Sequence, residues 1–227
     1  MLRVRRKNIG WSLLIPFIIV MTTVTLLTSI SIFRDPRHFS LAIISSLYYP
    51  LLVIHISLGT IAVLSGMVQF FPQIRRKRPQ VHRLIGRIYM GSVLISGVTA
   101  LFVALFTVVF NEQVAFLTLD VLWLLSGWKA LRAIRQGKVE LHRLWVVRTY
   151  ALTLAAIFAR LVVPLLILLL LLRGSLPAGG FTALLTEGLG TGVWLSIVLN
   201  LVFADWLVNR HQKVSSTAAS VGVAEEK

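Results

Sequence analysis

Six apolar blocks of roughly membrane-spanning length divide this 227-residue chain, with clusters of arginine and lysine between them. A helix needs about 20 apolar residues to cross the ~30 Å hydrocarbon core of a bilayer. Within that core every backbone N–H and C=O must be satisfied inside the protein, so a continuous apolar run crosses as a helix. The runs do not alternate polar with apolar residues, which excludes the pattern of a transmembrane β-barrel. Composition agrees: 57% of residues are hydrophobic, against roughly 45–50% in a soluble domain.

The reading is an all-α membrane protein with six transmembrane helices in one domain, residues 1–208. The predicted spans are 9–33, 47–71, 81–110, 114–134, 141–172 and 189–208, followed by a small, polar tail at 209–227 expected to be disordered. The first run follows Arg3, Arg5, Arg6 and Lys7. It is too long for a signal peptide and has no small-x-small cleavage site, so it reads as a membrane helix kinked at Pro16.

The net charge of +15 would point to nucleic acid in a soluble protein. Here the cations crowd into the N-terminus, the loop around Arg75–Arg78, the loop from Arg132 to Arg143 and the C-terminal tail, while the alternate loops hold only Arg34, Arg37 and Arg173. That asymmetry is a topology signal and places both termini in the cytoplasm, in the inner membrane of a cell, with no nucleic acid as partner. The partner it implies is the lipid bilayer, with anionic lipid attracted to the basic loops. A homo-oligomer and a membrane redox partner both stay open. With no cysteine there is no disulfide, thiolate metal site or iron–sulfur cluster.

Two segments of the chain echo each other. Val63–Tyr89 and Leu124–Tyr150 both begin with Ser-Gly in an apolar run and pass through a basic loop to His-Arg-Leu, Arg and Tyr. Ser65-Gly66 matches Ser126-Gly127, His82-Arg83-Leu84 matches His142-Arg143-Leu144, and Arg87 and Tyr89 match Arg148 and Tyr150, with one residue of slip between the glycine and the histidine. This reads as a duplicated helical hairpin forming a four-helix core, flanked by the first and sixth helices. Both copies point the same way, so the repeat is parallel, about an axis along the membrane normal.

Polar residues at membrane depth carry the functional information. Steps of three and four from His55 give Gly59, Ala62, Gly66 and Gln69, a stripe that lets helices approach closely. The same steps give Gly86, Tyr89 and Ser96 from His82, and Thr149, Thr153 and Arg160 from His142. Two groups emerge. His55, Asp120 and Arg160 form a predicted polar cluster in the outer half, with Asp120 and Arg160 as an expected ion pair. His82, His142, Arg83, Arg87, Arg143, Arg148 and Tyr89 gather at the cytoplasmic boundary. The bland reading of the boundary arginines is headgroup contact and topology, and of the histidines helix-start or interhelical hydrogen-bonding residues.

Two imidazoles at one depth on different helices can ligate a b-type haem without covalent attachment, with arginines on the propionates. The same basic, aromatic pocket suits a quinone. The leading expectation is therefore haem b- or quinone-associated electron transfer, with His82 and His142 the metal ligands only if haem binds. The alternative is a non-redox small transporter, an anion- or lipid-binding protein, or an accessory subunit. Nothing in the sequence fixes an enzymatic activity.

The ordered series His55-x3-Gly59, Gly66-x2-Gln69-Phe70, His82-Arg83-x2-Gly86-Arg87-x-Tyr89, His142-x2-Trp145-x2-Arg148-x-Tyr150-Ala151 and Arg160 resembles the bacterial membrane family called domain of unknown function 2306. The resemblance covers Leu47–Arg160 and implies no established activity. It singles out His55, His82 and His142 with Arg87, Arg148 and Arg160. The four-helix layout is similar to that of di-haem b-type membrane cytochromes, but a fourth histidine is missing, and a two-haem pathway is not implied.

Overall fold

The computed structural model describes the backbone of residues 42–174 and 180–225, with residues 16, 18–20, 22–24 and 27 before them; side-chain surroundings beyond residue 46 are described for 47–174 and 188–210. Every regular element among the described residues is helical: α1 (Ala42–Gln69), α2 (Pro72–Lys77), α3 (Pro79–Leu105), α4 (Phe110–Arg135), α5 (Val139–Thr153), α6 (Ala155–Leu172) and α7 (Gly180–Glu225). Met1–Ser46 and Leu47–Lys227 are separate compact units. In the first, the described positions from 16 to 27 are helical, and the Thr22 and Thr23 hydroxyls bond back to the carbonyls of Ile18 and Ile19. The rest of the predicted span 9–33 lies outside the described residues.

Among the described residues five stretches are long and apolar enough to cross a membrane, and they correspond to five of the six predicted spans: Leu47–Gln69, Pro79–Leu105, Phe110–Arg135, Ala155–Leu172 and Gly188–Arg210. Four boundaries differ from the sequence reading for identifiable reasons. Asn111-Glu112-Gln113, expected as a connection, opens α4, and the turn falls earlier, between Leu105 and Phe110. There Gln113 Nε2 donates to the Leu105 carbonyl at 2.8 Å, which satisfies a carbonyl left open at the end of α3. The basic turn between α1 and α3 contains the short helix α2, opened by Pro72 in the first turn, where its missing N–H costs nothing.

The predicted single span 141–172 is broken at Leu154 into α5 and α6. Thr153 Oγ1 donates to the Thr149 carbonyl at 2.9 Å, and back-bonding of this kind weakens the backbone ladder and bends a helix. Finally, α7 starts at Gly180 inside a predicted loop and continues to Glu225 through the expected disordered tail, a stretch with no proline and one glycine to stop it. At 1.5 Å per residue α7 is far longer than a bilayer is thick, so only part of it is a span.

α4 is the hub: it packs against α3, α5 and α7, while α6 pairs with α7. Helix α1 is tied to α3 by His55 and Ser96, and to α5 by the Tyr150 hydroxyl, which donates to the Val63 carbonyl at 3.2 Å. The predicted small stripes do face inward: Ala62, Ser96 and Thr149 are each 0% exposed. Lone leucines, valines and phenylalanines cover the outside of α3, α4, α6 and α7, as lipid contact requires.

Candidate functional site

The buried centre is a saturated hydroxyl. Thr153 Oγ1 gives its proton to the Thr149 carbonyl, so its lone pairs accept from Trp123 Nε1 at 2.9 Å and from the Tyr89 hydroxyl at 3.0 Å. One side chain at the α5–α6 break therefore joins α3, α4 and α5. Just beside it Gly66 lets the rings of Tyr150 and Tyr89 touch the α1 backbone, and Phe70 packs on Tyr150 with ring centres 5.0 Å apart. Tyr89, expected at the boundary site, is 1% exposed and belongs to this core.

The boundary histidines occupy matching places in their hairpins, and His82 stands just after the basic stretch Arg75–Arg78. Each histidine sits at the start of its hairpin's second helix, and each is tied to the hairpin's first helix, by opposite groups. His142 Nδ1 lies 2.8 Å from the Ala130 carbonyl; a carbonyl only accepts, so Nδ1 carries the hydrogen, and in the neutral ring Nε2 keeps its lone pair. In the other hairpin Gln69 Nε2 donates to the His82 carbonyl at 3.1 Å, and the ring is not used. His82 Nδ1 is buried with no hydrogen-bond partner.

The four boundary arginines divide in pairs. Arg83 and Arg87 are exposed. Arg143 is held by Glu140 at 3.0 Å, and Arg148 Nε by Asp205 Oδ1 at 2.7 Å. Arg148 also lies over the Trp145 ring, as does Lys129, at 4.8 and 4.4 Å from its centre. Gln69, expected only in the close-packing stripe of its helix, and Asp205, outside the predicted site, both contribute here. An acid in an apolar span with an arginine on a neighbouring helix was the available signal for Asp205.

The outer-half cluster is not one cluster. His55 Nδ1 lies 3.0 Å from the Ser96 carbonyl while Ser96 Oγ donates to the His55 carbonyl at 2.9 Å, a reciprocal clamp between α1 and α3. Arg160 is the charge that acts on His55, and its Nη1 donates to the Ala156 carbonyl at 2.9 Å. The expected ion pair with Asp120 is absent: among the described residues Asp120 makes no ion pair and no hydrogen bond. Register explains the miss. Trp123 and Thr153 meet, Asp120 lies three residues outward from the first and Arg160 seven from the second. At 1.5 Å per residue the two sit about 6 Å apart in depth.

Buried polar clamps, small residues at helix contacts and an apolar outside define a polytopic helical membrane protein. The chain belongs to the family described as "Predicted membrane protein (DUF2306)", whose model matches residues 52–208. No curated protein and no solved structure matches it.

Proposed function

We propose that this membrane protein binds an anionic phosphate-type headgroup at its basic end, between His82 and His142, without redox chemistry of its own. The observation that carries the reading is the buried, unpartnered Nδ1 of His82, just after the basic stretch Arg75–Arg78. A buried polar atom without a partner costs about 1–3 kcal/mol, which a hydrogen-bonding ligand would recover. Exposed Arg83 and Arg87 on the same helix end add charge for an anion to meet. The two-hairpin reading supports this site: Gln69 and Ala130, one residue of slip aside, occupy the same repeat position, and each closes its hairpin onto the matching histidine.

One observation favours the redox alternative, haem b or a quinone. His142 presents a free Nε2 with Nδ1–H fixed on a carbonyl, the arrangement usual for a metal-ligating histidine. The remaining residues fit a haem poorly. Gln69 lies against Gly86 beside His82, and Tyr89, Tyr150 and Phe70 close the space further in. Two of the arginines available for propionates are held by Glu140 and Asp205.

The full-length protein, purified in detergent, is compared with His82→Gln and His142→Gln. Native mass spectrometry with phosphatidylglycerol and thermal shift with inorganic phosphate separate a lipid headgroup from a free anion. Retention or stabilisation that both substitutions weaken is the expected result. Reduced-minus-oxidised spectra with sharp α and β bands, or a quinone in an organic extract, would overturn the reading in favour of the redox one.

A further inference from the structure

Asp120 has no counterpart in the site at the basic end. It lies ten residues into α4 from Phe110, about 15 Å along a helix axis and so near the middle of a ~30 Å hydrocarbon core. Its residue is 6% exposed, and among the described residues its carboxyl makes no hydrogen bond and no ion pair. The neighbouring contacts show where it points. Trp123, one turn away, bonds to Thr153 of α5, and Leu124 fills the space over Gly97 of α3, so this face of α4 is turned into the bundle.

The ionisable groups on the surrounding helices are otherwise engaged. Tyr89 of α3 bonds to Thr153 and Tyr150 of α5 to the Val63 carbonyl. Arg148 of α5 and Asp205 of α7 pair with each other, His55 of α1 is clamped to Ser96, and Arg160 of α6 donates to Ala156. On α4 itself Glu112 is two turns outward.

A carboxylate alone in a low-dielectric interior costs far more than a fold's margin of stability, so the group must hold a positive partner that none of the described residues supplies. A metal cation would need several further ligands, and Asp120 shares no group of three His, Cys, Asp or Glu side chains among the described residues. A proton needs one oxygen. We propose that Asp120 is a proton-binding site in the middle of the membrane, separate from the headgroup site and independent of it. Ionisable residues at such depth mark proton and ion paths in membrane proteins.

An apolar carbodiimide tests this on the wild-type protein in detergent at neutral pH. The carbodiimide nitrogen takes the carboxyl proton, the carboxyl oxygen bonds to the central carbon, and the O-acylisourea rearranges to a stable N-acylurea that peptide mass mapping locates. The expected result is an adduct on Asp120 with dicyclohexylcarbodiimide and none with a water-soluble carbodiimide. Asp120→Asn, which keeps the shape, removes the adduct and leaves the melting temperature unchanged or raised. Because the adduct is mapped in the wild type, the result does not depend on the variant folding. An unreacted Asp120, or one that reacts equally with the water-soluble reagent, overturns the proposal.

Discussion

The ring of Tyr150 lies where a side chain at Gly66 would have to go. A Cβ on Gly66 would come within 2.6 Å of Tyr150 Cδ2 and Cε2 and 2.9 Å of Tyr89 Cε2. Both tyrosines are anchored through their hydroxyls, to Val63 and to Thr153, so neither ring can move aside freely. Gly66→Ala is therefore expected to destabilise by about 1–3 kcal/mol through overpacking. Gly59, whose Cβ would meet Ser96 Oγ at an ordinary 3.5 Å, is the control. There alanine is expected to be neutral or to stabilise by roughly 0.5–1 kcal/mol, the usual gain over glycine in a helix. Thermal unfolding of both variants in detergent measures the contrast.

The same glycine shows what a sequence can and cannot display. Its membership of a small-residue stripe with Gly59 and Ala62 was legible from helical spacing, because side chains three and four apart share a face. Its contact with Tyr150, eighty-four positions along the chain, was not, because spacing says nothing about which helix lies opposite. The places of His82 and His142, each in the first turn of its helix, were legible because they fall at equal positions in two similar segments. Asp120 and Arg160 were misjudged because depth was counted along each helix separately. A relative shift of one turn, fixed by the Trp123–Thr153 contact, was enough to part them. The break at Leu154 was equally hidden, since no proline or glycine marks it; a threonine hydroxyl bonded back onto its own helix stands beside it.

That hydroxyl supplies the second prediction. Thr153→Val keeps the shape and removes the acceptor, leaving Trp123 Nε1 and the Tyr89 hydroxyl buried without a partner. Each such group costs about 1–3 kcal/mol, so the loss should exceed that of a single hydrogen bond. Thr153→Ser retains the hydroxyl and is expected to recover most of the stability. Equal melting temperatures for the valine variant and the wild type would show that the three groups do not depend on one another.

Arg148 and Asp205 offer a test of coupling between α5 and α7. The pair is close, at 2.7 Å, but the side chains are 27% and 48% exposed, so solvent screens it. A double-mutant cycle with Arg148→Gln and Asp205→Asn is expected to give a coupling of at most about 1 kcal/mol. The same cycle on Asp120→Asn and Arg160→Gln should give additive effects, because those groups do not meet. A strong coupling between Asp120 and Arg160 would contradict the register described above.

The last prediction concerns orientation. The turn carrying Arg75, Arg76, Lys77 and Arg78 and the turn at Gln136–Lys138 lie at matching ends of antiparallel helices, just before His82 and His142. The opposite turn, between α3 and α4, has Val108 at 94% exposed and no cation from Phe106 to Phe110. Lysine and arginine beside a span are retained on the cytoplasmic side, so the basic turns are expected inside and Val108 outside. The chain contains no cysteine, so single cysteines at Lys77, Lys138 and Val108 can be read without background. An impermeant thiol reagent on intact cells should label only the Val108 variant, and should label all three once the cells are opened. Labelling of the Lys77 or Lys138 variant in intact cells would reverse the orientation and put the His82–His142 end, with its cations, on the outer face.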